Sequence, residues 1–401
     1  MLDIYRKGYI LCVLKLQIIA KCSGLYFSEK KDSTMKYFLT LFILSFISQP
    51  FFAQKGLYRL LVGTYTNTGK SEGIYAFDVN VKTATFTQKS VATGIINPSY
   101  LTLTPDAKFL YAVSEDGKNS VVNAFSFNKN TFEMMFLNRS PAKGLDPCYI
   151  SVTKKHVFTA NYSSGNVSVL GRKSDGTLTE VLQQILLSGK SINTERQNEP
   201  HVHQVLFSLD KKYLIINDLG TDHVNVYTYK SNAITEILTP WDTLAVKPGS
   251  GPRHAVFSKN GKRLYLLQEL DGTVSVLKMQ KGKLNLIQET TVMRKENKKA
   301  GAADIHLSPD GKFLYATNRA PENTITCFSV AKNGRLEFRQ QVSSGGSGPR
   351  NFALTADGQY LFVGNQYSDA IDIFKRNIKT GFLTNTGKKI IVGAPVCLAF
   401  F

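Results

Sequence analysis

A short pattern of residues recurs along this chain about every fifty positions, and that period constrains the fold more than any other feature. Gly251-Pro252-Arg253-His254-Ala255-Val256-Phe257-Ser258 is followed by Gly261-Lys262-Arg263-Leu264-Tyr265 and then by Gln268-Glu269. A second copy runs Gly348-Pro349-Arg350-Asn351-Phe352-Ala353-Leu354-Thr355, then Asp357-Gly358-Gln359-Tyr360-Leu361 and Asn365-Gln366. Each reads as a loop, an alternating strand, a turn and a second strand. Alignment on the residue five before the Ser or Thr that closes the first strand picks out Ser99, Cys148, His203, Arg253, Ala303, Arg350 and, at the end, Val396. Their separations are 49, 55, 50, 50, 47 and 46 residues.

Second strands follow in register, such as Phe109-Leu110-Tyr111-Ala112, Tyr213-Leu214-Ile215-Ile216 and Phe313-Leu314-Tyr315-Ala316. Third strands include His223-Val224-Asn225-Val226 and Ala370-Ile371-Asp372-Ile373, and each unit has room for a fourth. No stretch shows sustained helical periodicity. Units of this length with four short strands are blades, so the pattern predicts an all-β, seven-bladed β-propeller of four-stranded antiparallel blades. Six blades begin at positions 99 to 350. The seventh is divided: Leu60–Tyr65 and Gly73–Phe77 supply strands at one end, and Ala394–Phe400 supplies its innermost strand at the other. Pairing the N- and C-terminal strands in one blade closes the ring and removes open sheet edges.

The expected propeller occupies 55–401. Met35-Lys36, an apolar run from Tyr37 to Ile47, and Pro50-Phe51-Phe52-Ala53-Gln54 resemble a secretory signal peptide over 35–54, too short for a membrane span. Residues 1–34 then form an upstream extension outside the fold, and the expected location is periplasmic or secreted, with the cytoplasm as the alternative should the leader be retained. Five cysteines, three of them beyond the leader, have no paired spacing, so neither a disulfide framework nor a zinc site is expected. The net charge is +19. A basic body favours anionic ligands, but no basic run with interleaved aromatics points to nucleic acid.

Residues that enter first strands and leave second strands at equivalent repeat positions converge on one mouth of a propeller. The first set holds His203, Arg253 and Arg350, with Gln204, His254, Asp304 and Asn351 beside them. The second holds Tyr65, Glu115, Tyr162, Asp218, Glu269, Arg319 and Gln366. Architecture alone asks only for small or turn-forming residues there. Asp304 and His306 read as structural, Cys148 as a small filler, and His254 as a supporting partner or a substrate contact. His201 and His203 lie two apart, but no third ligand follows at matching spacing, so no metal and no other cofactor is expected.

Gly-Pro-Arg-His-Ala-Val-Phe at 251–257 with Gln268-Glu269-Leu270, Ala302–Gly311 with Asn318-Arg319, and Pro349–Phe352 resemble the lactonase seven-bladed propellers, over roughly 58 to 401. That family holds propeller-type 6-phosphogluconolactonases and fungal 3-carboxymuconate lactonizing enzymes. The resemblance implies hydrolysis of a small anionic sugar lactone, 6-phosphoglucono-1,5-lactone first, in carbohydrate metabolism. The alternatives are cycloisomerisation of a muconate-type diacid and, in a different class, a non-catalytic binding propeller. It carries catalytic roles onto His203, Arg253 and Glu269 and onto one further arginine, Arg319 or Arg350. Arg350, Arg319, His254, Asn351 and Gln366 are the expected substrate contacts, and either Glu269 or His203 the general base. The leader predicts a mature N-terminus next to Gln54. N-terminal sequencing of the protein from its native source checks this, and a retained Met1 overturns it.

Overall fold

In the computed structural model the chain is described at residues 56–294, 300–319 and 321–401; the leader and the upstream extension expected before residue 55 lie outside the described residues. Each repeat is a four-stranded antiparallel sheet, and the described residues contain seven of them. The innermost strands are Leu101–Leu103, Pro147–Val152, Val202–Phe207, Pro252–Phe257, Ala302–Leu307, Pro349–Leu354 and Pro395–Phe400. Each of these packs against the next, and Pro395–Phe400 packs against Leu101–Leu103, so they form a ring.

The closing blade has the divided composition expected. Pro395–Phe400 pairs antiparallel with Leu57–Thr64, Leu61 opposite Ala399 and Val62 opposite Leu398. Gly73–Asn80 and Thr85–Thr93 complete that sheet. The apolar cores lie between neighbouring blades: Leu60, Val62 and Phe77 of the closing blade pack with Phe362, Ile371 and Ile373. Second strands therefore bury both faces, as Leu264–Gln268 does throughout, and read as continuous apolar runs instead of alternating ones.

The turn between first and second strands is written into the sequence. In Ser208-Leu209-Asp210-Lys211 the Ser208 hydroxyl donates to Asp210 Oδ1 at 2.7 Å, and that carboxylate accepts the Lys212 N–H at 3.1 Å. Thr355-Ala356-Asp357-Gly358 and Ser258-Lys259-Asn260-Gly261 repeat the device. The next residue is left-handed, with φ of 69° at Gly261 and 66° at Gly358, which is why glycine recurs there.

Neighbouring blades are also tied by polar latches at an equivalent outer-strand position, where Asn138, Gln183 and Gln288 each stand opposite the residue just before a register shift. The Gln288 side-chain amide, on an outer strand, donates to Leu336 O at 2.8 Å, and its carbonyl accepts the Leu336 N–H at 2.8 Å. Gln183 does the same to Leu238, and Asn138 to Leu178. Each amide satisfies a backbone N–H and C=O that the strand would otherwise leave unpaired. Among the described residues no helix is long and apolar enough to cross a membrane. Gln288→Ala strands both backbone groups of Leu336 and is expected to cost about 1–3 kcal/mol. Urea unfolding measures this, and an unchanged midpoint would show the latch to be unimportant.

Candidate active site

The residues aligned in the sequence repeat share one backbone feature. Pro252 pairs with Gln268 and His254 with Leu267, so Arg253 is the extra residue of a β-bulge. The same shift skips His203, Cys148 and Arg350 in their strands. A bulge leaves its residue out of the ladder and re-aims its side chain. Here the seven-fold arrangement aims them at one mouth. The loop before two of the bulges needs glycine: Gly251 and Gly348 have φ of 70° and 74°, and a Cβ on them would meet Leu270 and Tyr367. That requirement explains the repeated Gly-Pro-Arg.

The mouth holds a cavity of about 310 Å³. Glu269, just past Arg263–Gln268, organises one side of it. Its Oε2 accepts Arg253 Nε at 2.9 Å and Arg319 Nη2 at 3.1 Å, and its Oε1 accepts Arg196 Nη2 at 2.8 Å. Burial alone would raise this carboxyl, but Arg319, Arg253 and Arg196 outweigh it and hold the group well below the usual carboxylate range. Arg253 is buried and also donates to Ala303 O. Burial and the nearby Arg319 pull it down to about 10, still cationic at neutral pH. Arg319 donates a further bond to Gly301 O at 2.9 Å.

Arg350 differs from these three. Its guanidinium lies over the Tyr65 ring, 5.3 Å from the centroid, and among the described residues it makes no side-chain hydrogen bond or ion pair. His203 lines the same cavity. Burial, followed by the charges of Arg253, His254 and Arg350, holds its imidazole well below the ordinary value, so it is neutral at neutral pH. Its Nδ1 is 3.7 Å from Cys148 Sγ, a contact between adjacent blades. Burial pushes the Cys148 thiol up, so it is no nucleophile at neutral pH.

Deeper along the tunnel a smaller chamber is lined by His203, Arg253, His254, Arg350 and Asn351. Behind two of these residues stands Asp304: Oδ1 accepts His254 Nδ1 at 2.8 Å, and Oδ2 accepts His306 Nε2 at 2.9 Å and Asn351 Nδ2 at 2.6 Å. Burial and Arg253 hold His254 down at about 4; its Nδ1 proton faces the carboxylate, and its buried Nε2 has no partner among the described residues.

The expected site residues therefore separate. Arg319, Arg350, His203 and Glu269 meet at the cavity, with Arg253 directly behind Glu269. Two expected substrate contacts stand apart from this group. The Asn351 amide lines the smaller chamber while donating to Asp304 and accepting the Leu398 N–H at 2.7 Å. Gln366 begins a short 3-10 turn, Gln366–Ser368, and lines neither chamber. Arg196 was not anticipated. It sits in the 187–201 connection, where the spacing between Cys148 and His203 is longest at 55 residues, and that surplus length was its only sequence signal. Glu269→Gln removes the counter-charge of three arginines and is expected to cost about 3 kcal/mol at neutral pH. Because the folded-state carboxyl is depressed, this contribution is present above the ordinary glutamate value and lost as pH falls below it. Thermal unfolding from pH 7 to 3 should show the gap between variant and wild type narrowing.

The model of the family described as lactonase, 7-bladed beta-propeller, matches residues 59–400. A 6-phosphogluconolactonase of Formosa agariphila is 35% identical over 349 residues, covering 85% of this chain and 99% of that protein. A 6-phosphogluconolactonase of Bacillus subtilis is 32% identical, covering 84% and 97%. The solved structure of a periplasmic gluconolactonase of Pseudomonas aeruginosa superposes with a TM-score of 0.82 at 34% identity, covering 86% of this chain and 99% of that one.

Proposed function

The chain belongs to the lactonase seven-bladed β-propeller family, and from that premise we propose that it hydrolyses an anionic sugar lactone, 6-phosphoglucono-1,5-lactone foremost. The observation that carries the reading is Arg350, a cation held at the cavity with its donors uncommitted. The mouth gathers four arginines, Arg196, Arg253, Arg319 and Arg350, against the carboxyls of Glu115, Asp146 and Glu269, and among the described residues only Glu269 is ion-paired with them. An anionic ligand supplies the charge that balance lacks.

Arg319 and Arg196, both facing the cavity, grip the anionic end of the substrate. Arg350 receives the charge that develops on the lactone carbonyl oxygen when water attacks. His203 is the general base, because its neutral imidazole can take the water's proton. Glu269 is assigned to holding the arginines, since both its oxygens are occupied by guanidinium donors. Export is supported by the leader-like sequence at 35–54 and by likeness to a periplasmic gluconolactonase. It would place the protein beside unphosphorylated lactones too, so both belong in the assay.

Hydrolysis of 6-phosphogluconolactone and gluconolactone, followed against the spontaneous rate, tests the reading. Arg350→Ala is expected to lower kcat/KM by about 10²–10³-fold with little change in unfolding temperature, since among the described residues its guanidinium makes no hydrogen bond or ion pair and only lies over the Tyr65 ring. Arg253→Ala should lower both. No rate above background from folded wild-type protein on either lactone would sink the proposal.

A further inference from the structure

Hydrolysis of a sugar lactone has two proton problems. The attacking water must lose a proton, and the ring oxygen, a poor leaving group as an alkoxide, must gain one. His203 answers the first. Glu269 does not answer the second, with both its oxygens held by arginines. Asp146, also at the cavity, is taken up by Gly117 N at 2.9 Å and Ser163 Oγ at 2.6 Å, which pin a loop.

Glu115 remains. It stands just past the strand Phe109–Ser114 and lines the same cavity as His203 and Arg350. Its bonds are of another kind: Tyr65 Oη donates to Oε2 at 2.8 Å, and Ser99 Oγ donates to Oε1. Both partners are neutral hydroxyls, and among the described residues no cation is within ion-pair distance of it. The one mouth thus holds two glutamates in opposed settings, and carboxyls so divided take different roles in hydrolytic sites.

We infer that Glu115 is a catalytic residue, the general acid that protonates the ring oxygen as the lactone opens, on the premise that the protein is the lactonase proposed above. His203 removes a proton from water as the new bond to the carbonyl carbon forms, and the carbonyl electron pair moves onto the oxygen held by Arg350. The intermediate collapses, the bond from that carbon to the ring oxygen breaks, and the Glu115 carboxyl proton passes to the departing oxygen, leaving a hydroxyl. His203 then returns its proton and Glu115 regains one through solvent, so lactone plus water gives the hydroxy acid.

The surroundings suit this role. Burial is the largest influence on Glu115 and raises its carboxyl, outweighing the lowering by Arg350 and by the two hydroxyls, while Asp146 adds to the rise. Tyr65, Cys148 and His203 also line the cavity around it, and phenol, thiol and imidazole there are all uncharged at neutral pH. A carboxyl so raised keeps its proton to higher pH than an ordinary glutamate, and activity that needs the proton falls as pH rises through the raised value.

The test is the pH dependence of kcat and KM for gluconolactone and its 6-phosphate, using full-length wild type, Glu115→Gln and Tyr65→Phe. Glu115→Gln should lower kcat by about 10²-fold or more, change KM little, and abolish the fall of activity on the alkaline side. Tyr65→Phe keeps the ring under Arg350 but removes a bond that favours the ionised carboxyl, so the alkaline fall should move to higher pH. If Glu115→Gln retains kcat within about threefold of wild type, or loses kcat but keeps the alkaline fall, the inference is overturned while the lactonase reading stands. Should that variant fail to fold, an unmoved alkaline fall in Tyr65→Phe overturns it equally. Wild-type protein inactive on both lactones overturns the two readings together.

Discussion

The structure depends on closure of the ring. Seven sheets that bury both faces have no stable partial arrangement, because each apolar core is built from two neighbouring blades. The last interface is made by two strands almost a whole chain apart, Leu57–Thr64 and Pro395–Phe400. That pairing leaves no inner edge exposed, and it also fixes the circumference of the tunnel. The contacts of Cys148 with His203 and of Arg350 with Tyr65 are distances between blades and are set by this closure.

Closure positions the backbone, and the bulges then position the chemistry. A regular inner strand would alternate side chains between its two flanking interfaces and offer little to the axis. Skipping one residue at the start of each strand releases Cys148, His203, Arg253 and Arg350 from that alternation. The polar latches between outer strands complement this. Gln183, Gln288 and Asn138 satisfy backbone groups at the rim, where the blades splay and apolar packing thins. The scaffold is held at the rim and at the seam, and the middle is free to carry charge.

Most of the fold was legible because it rests on local chemistry repeated in register. The Ser/Thr–Asp–Gly turns, the apolar second strands and the Gly-Pro-Arg bulges each state their conformation within a few residues. The divided blade was legible from counting alone. The site was legible only in part. Arg253, Glu269, Arg319, Arg350 and His203 sit at repeat positions and could be placed, but their partners could not. Asn351 and Gln366 occupy equally good positions, yet one is claimed by Asp304 and Leu398 from the two adjoining blades and the other turns into a short 3-10 segment. Arg196 lies in an irregular connection, where periodicity carries no information. Register predicts where a side chain starts and says nothing of which distant residue will claim it.

The three arginines around Glu269 bear on what a carboxylate at such a mouth can do. Protonating Glu269 would leave Arg253, buried at 1% exposure, without its ion pair, and each unit of lowered pKa adds about 1.4 kcal/mol to that cost. A group so placed is a fixed negative charge. Its value lies in keeping Arg196 and Arg319 in position before substrate arrives, so that no reorganisation is needed at the moment charge develops. In the proposed reaction, proton transfer is assigned instead to groups outside that ion-paired cluster, the neutral imidazole of His203 and the hydroxyl-bonded carboxyl of Glu115. The mouth divides by this criterion: the residues ion-paired through Glu269 shape the field, and the proposed proton carriers stand outside those ion pairs.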